Sequence, residues 1–243
     1  MAGRHAGGVR VAQGARVVPE SALGWSSRNR EAVPGGSLTY GTVCPVIFRQ
    51  HGRVTQLSHR FPELTVSTPR LLLRPLSVTD APRVSEIFSD RQAQRWLPFA
   101  PPVGDLATVW CSSMAEDRRN AGLGDHYGVV RHEDGQLVGC LLAHRADWVA
   151  RVAEVSCTIA PAVRGLGFAT EAITALAVDL ITEHGFERIE LRIVPGNTDF
   201  RQVAEKAGFT YDGLLRNAGQ VHGARADLEV WSLIAPDLRT SRD

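Results

Sequence analysis

The run Arg164-Gly165-Leu166-Gly167-Phe168-Ala169-Thr170 sits where an alternating apolar segment gives way to a helix-period one. Small residues at such a junction let the backbone turn sharply and approach a ligand closely. The unpaired N–H groups of the following helix's first turn, reinforced by its dipole, form a site for an anion such as a pyrophosphate. Three readings compete for this spacing. A Walker-type phosphate loop is excluded because Gly-Lys-Ser/Thr is absent. A dinucleotide-binding turn finds two of its three glycines in Gly165-x-Gly167-x-x-Thr170, but it also needs an acid about 20 residues on at a strand end. Glu190 is roughly placed in distance yet falls mid-strand, and the strands before the turn read as antiparallel. A tight strand–helix turn with no ligand is the third reading.

A strand and a helix must position this turn. From Val152 to Ala160 the residues alternate, Ala153, Val155, Cys157 and Ile159 on one face and Glu154, Ser156 and Thr158 on the other. A helix is predicted from Phe168 to His184, with Ala169, Ile173, Leu176, Ala177, Leu180 and Ile181 as its apolar stripe and Gly185 as its stop. Order is expected from about Thr65. Arg70–Leu76 reads as a first strand, followed by a helix capped at Thr79 or Asp80 and a second helix over Asp105–Asn120. Tyr127–Arg131 and Leu137–Ala143 flank a Glu133-Asp134-Gly135 turn, a hairpin signal. Arg188–Val194 is another alternating strand. A short helix from about Asp199 to Gly208 precedes strands near Phe209–Leu215 and Arg225–Leu233, joined through His222-Gly223. The predicted order is β-α-α-β-β-β-α-β-α-β-β.

The formal net charge of +1 and 44% hydrophobic content imply no global attraction to nucleic acid or acidic lipid. That average conceals an asymmetry: residues 1–60 hold eight Arg against only Glu20 and Glu31. The expected organisation is a basic, unstructured extension over 1–64, a folded domain over 65–236 and a tail over 237–243. Lys206 is the single Lys beside 26 Arg, which reads as codon bias, because the Arg are spread along the chain. Cys44, Cys111, Cys140 and Cys157 lie far apart without metal-ligand spacing, which fits a reducing cytoplasm. Neither a signal peptide nor a membrane span is expected.

Four segments resemble the GNAT superfamily of acetyltransferases, within it the branch acting on ribosomal-protein N-termini, over about residues 65–236. They are Thr68-Pro69-Arg70-Leu71-Leu72-Leu73-Arg74-Pro75; Arg164 to Thr170 with Glu171-Ala172; Asn197 followed by Glu205-Lys206-Ala207-Gly208-Phe209; and Asp227 with Val230-Trp231-Ser232-Leu233. The resemblance implies an α/β fold, a single mixed, mostly antiparallel twisted sheet of about seven strands with about four helices. It implies acetyl-CoA as co-substrate, an amine acceptor, no metal, and action as a monomer or homodimer.

By the same resemblance, the turn and helix residues Gly165, Leu166, Gly167, Phe168, Ala169 and Thr170 hold the CoA diphosphate, with Arg164 supplying charge or shape. The strand carrying Val155, Cys157 and Ile159 splays from the Arg188 strand and offers backbone groups to the pantetheine arm. Asn197 binds that arm or positions the thioester; as a helix cap it needs no ligand. Glu154 is the candidate general base, and Ser156 a weaker one. The branch usually carries a Ser three residues after the Asn, and other GNAT enzymes a Tyr seven after it. Here those positions are Phe200, which borders the cofactor, and Ala204. That departure keeps open a degenerate acyl-CoA-binding module with little turnover. Trp96, Trp110 and Trp148 fall in regions that could border a cleft, while Tyr127 and Tyr211 read as packing residues.

Overall fold

The computed structural model describes residues 59–240 and the backbone of two short strands before them. Most of the expected arm therefore lies outside the described residues. Within it β1 (Ile47–Gln50) and β2 (Arg53–Gln56) pair antiparallel. Just before the expected start at Thr65, Phe61 and Leu64 are both buried.

Among the described residues one sheet of eight strands contains β3 (Val66–Ser67), β4 (Leu71–Pro75), β5 (Asp125–Arg131), β6 (Leu137–Asp147), β7 (Val152–Ile159), β8 (Arg188–Ile193), β9 (Thr210–Val221) and β10 (Ala224–Ile234). The spatial order is β3-β4-β5-β6-β7-β8-β10-β9. Within this sheet only β7 and β8 pair in parallel. A parallel neighbour requires a crossover connection, and α5 (Phe168–Thr182) supplies it. The strand beyond the expected seven is the two-residue β3, too short to carry a period.

Two apolar clusters cover the two faces. Ile173, Leu176, Ala177 and Leu180 of α5 are fully buried against Leu71, Leu141, Ile189 and Leu191. On the other face Val84, Ile87 and Phe88 of α1 (Ala81–Phe88) meet Trp110 and Cys140. Central β6 serves both: Val138 and Leu141 join the first cluster, Cys140 and Leu142 the second. A Leu at position 176, with no exposed surface, leaves a cavity when truncated. Leu176→Ala is expected to cost about 2–5 kcal/mol, measured by denaturant or thermal unfolding.

The helix expected over 105–120 is two, α3 (Asp105–Trp110) and α4 (Ser113–Asn120). The Ser112 hydroxyl donates to the Thr108 carbonyl at 2.6 Å, and Ser112 leaves helical geometry at φ −126, ψ −101. Short polar side chains compete with the backbone in this way, and Thr108, Val109, Cys111 and Ser112 are weak helix formers. Before α1, Asp80 stands at the N-cap as one of the two expected candidates, but its side chain makes no capping bond to that helix. The Asp80 carboxylate instead accepts from the Ser77 N–H at 2.8 Å and from both terminal nitrogens of Arg74. The His222-Gly223 turn behaves as predicted: both residues have positive φ, as a two-residue type I′ hairpin needs. The remaining helices are α2 (Arg91–Gln94), α6 (Thr198–Lys206) and α7 (Asp237–Thr240).

Candidate active site

Gly165 and Gly167 stand at φ 79 and φ 81, left-handed values that side chains resist. Gly167 is the residue from which α5 starts, and no side chain caps that helix. The amides of its first turn therefore lack intrahelical partners. A Cβ built at Gly165 would meet nothing within 4 Å, so the turn borders open space. A diphosphate fits such a cradle.

Arg164 is part of the frame. Its guanidinium donates to the Ile159 carbonyl at 3.1 Å, to Gln92 Oε1 at 2.9 Å and to Asp90 Oδ2 at 2.5 Å. The bond from Arg164 holds the Asp90 carboxyl below its ordinary pKa. These contacts tie Arg164 into the cleft wall, with Asp90 as its counter-charge. On the other side Arg70 lies 4.8 Å above the Phe168 ring and donates to the Leu166 carbonyl at 2.9 Å. Glu171, in the first turn of α5, accepts from Thr68 Oγ1 at 2.6 Å and from Arg70 Nε at 2.6 Å. The segment opening the domain and the acidic residue of the turn, distant in sequence, are one clasp.

Strands β7 and β8 pair only from Val152↔Arg188 to Glu154↔Glu190 and then diverge. β7 stays paired to β6 through Ile159. Beyond Glu154 its β8-facing backbone groups are consequently unpaired by sheet, and a cleft of about 1230 Å³ opens between the strands. From Glu154 to Ile159 the strand covers roughly 16 Å at about 3.3 Å per residue, suiting a long thin ligand.

Of the residues expected to bind cofactor, Cys157, Ile159, Arg164, Gly165, Gly167, Phe168, Ala169, Thr170, Asn197 and Phe200 line this cleft. Val155 and Leu166 do not. The Val155 side chain is buried in the core, and Leu166 is 52% exposed. Asn197 caps α6, its Oδ1 accepting from the Phe200 N–H at 3.3 Å, while also bordering the cleft. Phe200 is partly buried and Ala204 fully buried, so neither position presents a proton donor. Trp96 and Trp110 line the cleft; Trp148 packs instead with Phe61 and Phe186. Tyr127 is fully buried, and burial drives its phenol pKa upward; Tyr211 is 49% exposed on β9, the edge strand.

The cleft also reaches a polar cluster. Glu154, 12% exposed, has Oε1 at 3.6 Å from His144 Nε2 and Oε2 at 3.5 Å from both Arg145 Nε and Arg192 Nε. Burial raises the Glu154 pKa, opposed by Arg145 and Arg192. His144 is pushed down to about 3, by burial first and by Arg118 and Arg145 next, and so is neutral. Glu154 Oε2, His144 Nε2 and Arg118 Nε are buried without hydrogen-bond partners. His126 lies stacked on Trp110 at 4.1 Å, with its pKa lowered to about 4 by burial.

His144 and Arg118 were not anticipated from the sequence. Continuing the β6–β7 hairpin past Ala143 would have set His144 opposite Glu154, the register observed. Glu190, the acid a dinucleotide site would require, is engaged by Arg188 at 2.8 Å and Arg192 at 3.1 Å in the middle of β8.

Residues 70–210 match the acetyltransferase (GNAT) domain. The chain is 31% identical over 168 residues to YdaF of Bacillus subtilis (strain 168), a protein named provisionally as a ribosomal N-acetyltransferase, covering 68% of this chain and 91% of YdaF. Among solved structures, Mycobacterium smegmatis RimJ in complex with CoA-disulfide superposes with a TM-score of 0.64 at 27% identity, over 72% of this chain and 90% of that one. The fold is shared as well with a spermidine N-acetyltransferase from Vibrio cholerae solved with CoA and spermine, at a TM-score of 0.60 and 19% identity, over 70% of this chain and 98% of that one.

Proposed function

The chain belongs to the GNAT acetyltransferase family, and from that premise we propose that it moves an acetyl group from acetyl-CoA to a primary amine by direct attack in a ternary complex. The observation that carries this reading is the β7–β8 divergence, which joins the glycine-and-helix cradle at one end to Glu154 at the other within a single cleft. In this reading the amides of Gly165 and Gly167 to Thr170 hold the diphosphate, the free edge of β7 binds the arm, and Asn197 fixes its far part. Val155 contributes through its backbone, since its side chain is in the core.

Attack requires a neutral amine, and Glu154 takes the proton, directly or through one water. The neighbouring guanidinium groups assist by disfavouring a cationic nitrogen beside them. The amine nitrogen then bonds to the thioester carbonyl carbon, the carbon–sulfur bond breaks, and the departing thiolate takes up a proton from the ammonium formed or from water. Transfer through an acyl-cysteine is disfavoured: Cys157 borders the cleft, but burial pushes its thiol up to about 12, leaving no useful thiolate. The acceptor is a protein N-terminus or a small amine, the former favoured by the ribosomal name of the relative YdaF.

Phe200 in the cleft, at the position where the branch carries Ser, favours a second reading, an acyl-CoA-binding module with little turnover. Thermal melting with acetyl-CoA, CoA and NAD at matched concentrations, followed by thiol release over peptide and amine acceptors, separates the two. Stabilisation by acetyl-CoA with thiol release is expected. Tight binding with no release on any amine would favour the module, and the absence of any acetyl-CoA effect would defeat both.

A further inference from the structure

Four guanidinium groups line the cleft, and three are matched by carboxylates. Arg164 is bound to Asp90; Arg145 and Arg192 face Glu154, and Arg192 also binds Glu190. Arg118, on α4, makes no ion pair among the described residues. Its nearby acid, Asp125, is committed to Arg119 through contacts of 2.6 and 3.2 Å. The Arg118 Nε is buried with no partner, and the two imidazoles beside it, His126 and His144, are neutral and supply no counter-charge. A buried cationic donor left unmatched is costly in a folded protein, and a bound anion removes that cost.

We propose that the acceptor carries a carboxylate close to its reacting amine, and that Arg118 holds this carboxylate while Glu154 and His144 face the amine. The proposal rests on the acetyltransferase reading above. Two further observations support it. Glu154 Oε2 and His144 Nε2 are the other buried atoms of the cleft without hydrogen-bond partners, so the unmet hydrogen-bonding capacity is of two kinds, a carboxylate oxygen that can accept from an N–H and a guanidinium donor for an anion. The charge balance points the same way: Arg118, Arg145 and Arg192 outnumber Glu154 and Glu190, so a polyamine would bring its second cation into a region already positive. An amine with an anionic neighbour satisfies both ends. The carboxylate can come from the acidic second residue of a peptide or from the α-carboxylate of a free amino acid.

The test measures thiol release with full-length protein on charge-matched pairs: Ser-Glu-Ala-amide against Ser-Gln-Ala-amide, serine against serinamide, with spermidine as the cationic comparison. We expect the acidic member of at least one pair to have at least tenfold higher kcat/KM, the pair telling the peptide source from the amino-acid source. Arg118→Gln is expected to abolish that ratio while changing acetyl-CoA affinity less than threefold, and Arg118→Lys to retain part of it. Selectivity is a ratio within one protein sample, so a variant that is merely less stable leaves it intact. Equal rates on charged and neutral partners, or an undiminished ratio in Arg118→Gln, would overturn this proposal alone. Release on no acceptor of any charge would overturn it together with the transferase reading.

Discussion

Replacing Gly167 with Val is expected to raise the dissociation constant for acetyl-CoA by on the order of 10²-fold in protein that still folds. At φ 81 any side chain is strained, and a β-branched one strongly so, at about 1–2 kcal/mol or more. The surroundings add little to that cost, because a Cβ there would meet only Arg70 Nη2, at 3.5 Å. Its branches would extend into the space where a diphosphate must approach the α5 amides. Losing two charge-assisted hydrogen bonds of about 1.5 kcal/mol each gives roughly the stated factor. Calorimetric titration, paired with a melting curve, measures both effects. Leu176→Ala is the control for instability alone: it lowers the melting point without touching the turn and should bind acetyl-CoA normally while folded. Unchanged affinity in folded Gly167→Val would remove the cradle assignment.

The turn itself is legible in the sequence because the signals defining it are local. Small residues at 165, 167 and 169 abut a helix whose stripe recurs at helical spacing, and Gly185 terminates it where expected, at φ 70. The alternation of β7 separates Ala153 and Val155, buried, from Glu154 and Ser156, on the cleft, but further along the strand Cys157 and Ile159, expected on the buried face, line the cleft as well. What stayed hidden depends on partners remote in sequence. Nothing near Glu171 shows that its carboxylate will clasp Thr68 and Arg70, and nothing near Arg118 shows that Asp125 will choose Arg119 instead. Phe61 is not legible in the sequence because its burial is conferred by Trp148 and Phe186 and by no period of its own. His144 was lost for a different reason. Polar residues follow Ala143, yet β6 continues to Asp147, with Arg145 at φ 52 where the register shifts. A polar stretch closing a strand reads as a loop from sequence, although here it is half of the polar cluster.

The part played by that cluster is decided by Glu154→Gln, which keeps the side chain's shape and removes its ability to take a proton. General-base catalysis contributes about 10²–10⁴-fold, so kcat is expected to fall by about 10²-fold or more while acetyl-CoA affinity stays within about threefold. Stability supplies a check of opposite sign. Burial raises the Glu154 pKa in the folded protein, so the advantage of its protonated form is complete below the unfolded value of about 4.3 and is lost as pH rises through the folded one. At neutral pH the ionised carboxylate is a cost, and the neutral Gln should melt no lower than the parent. A fall in rate without a fall in melting point therefore cannot be ascribed to unfolding. The pH profile gives the third reading. As a base Glu154 works ionised, so kcat/KM of the parent should rise with pH through a break above the ordinary glutamate value, and that break should vanish in the variant. His144, pushed down to about 3, is neutral across the whole interval and adds no break of its own. An unaltered profile in Glu154→Gln would strip Glu154 of the base role and leave the proton to water.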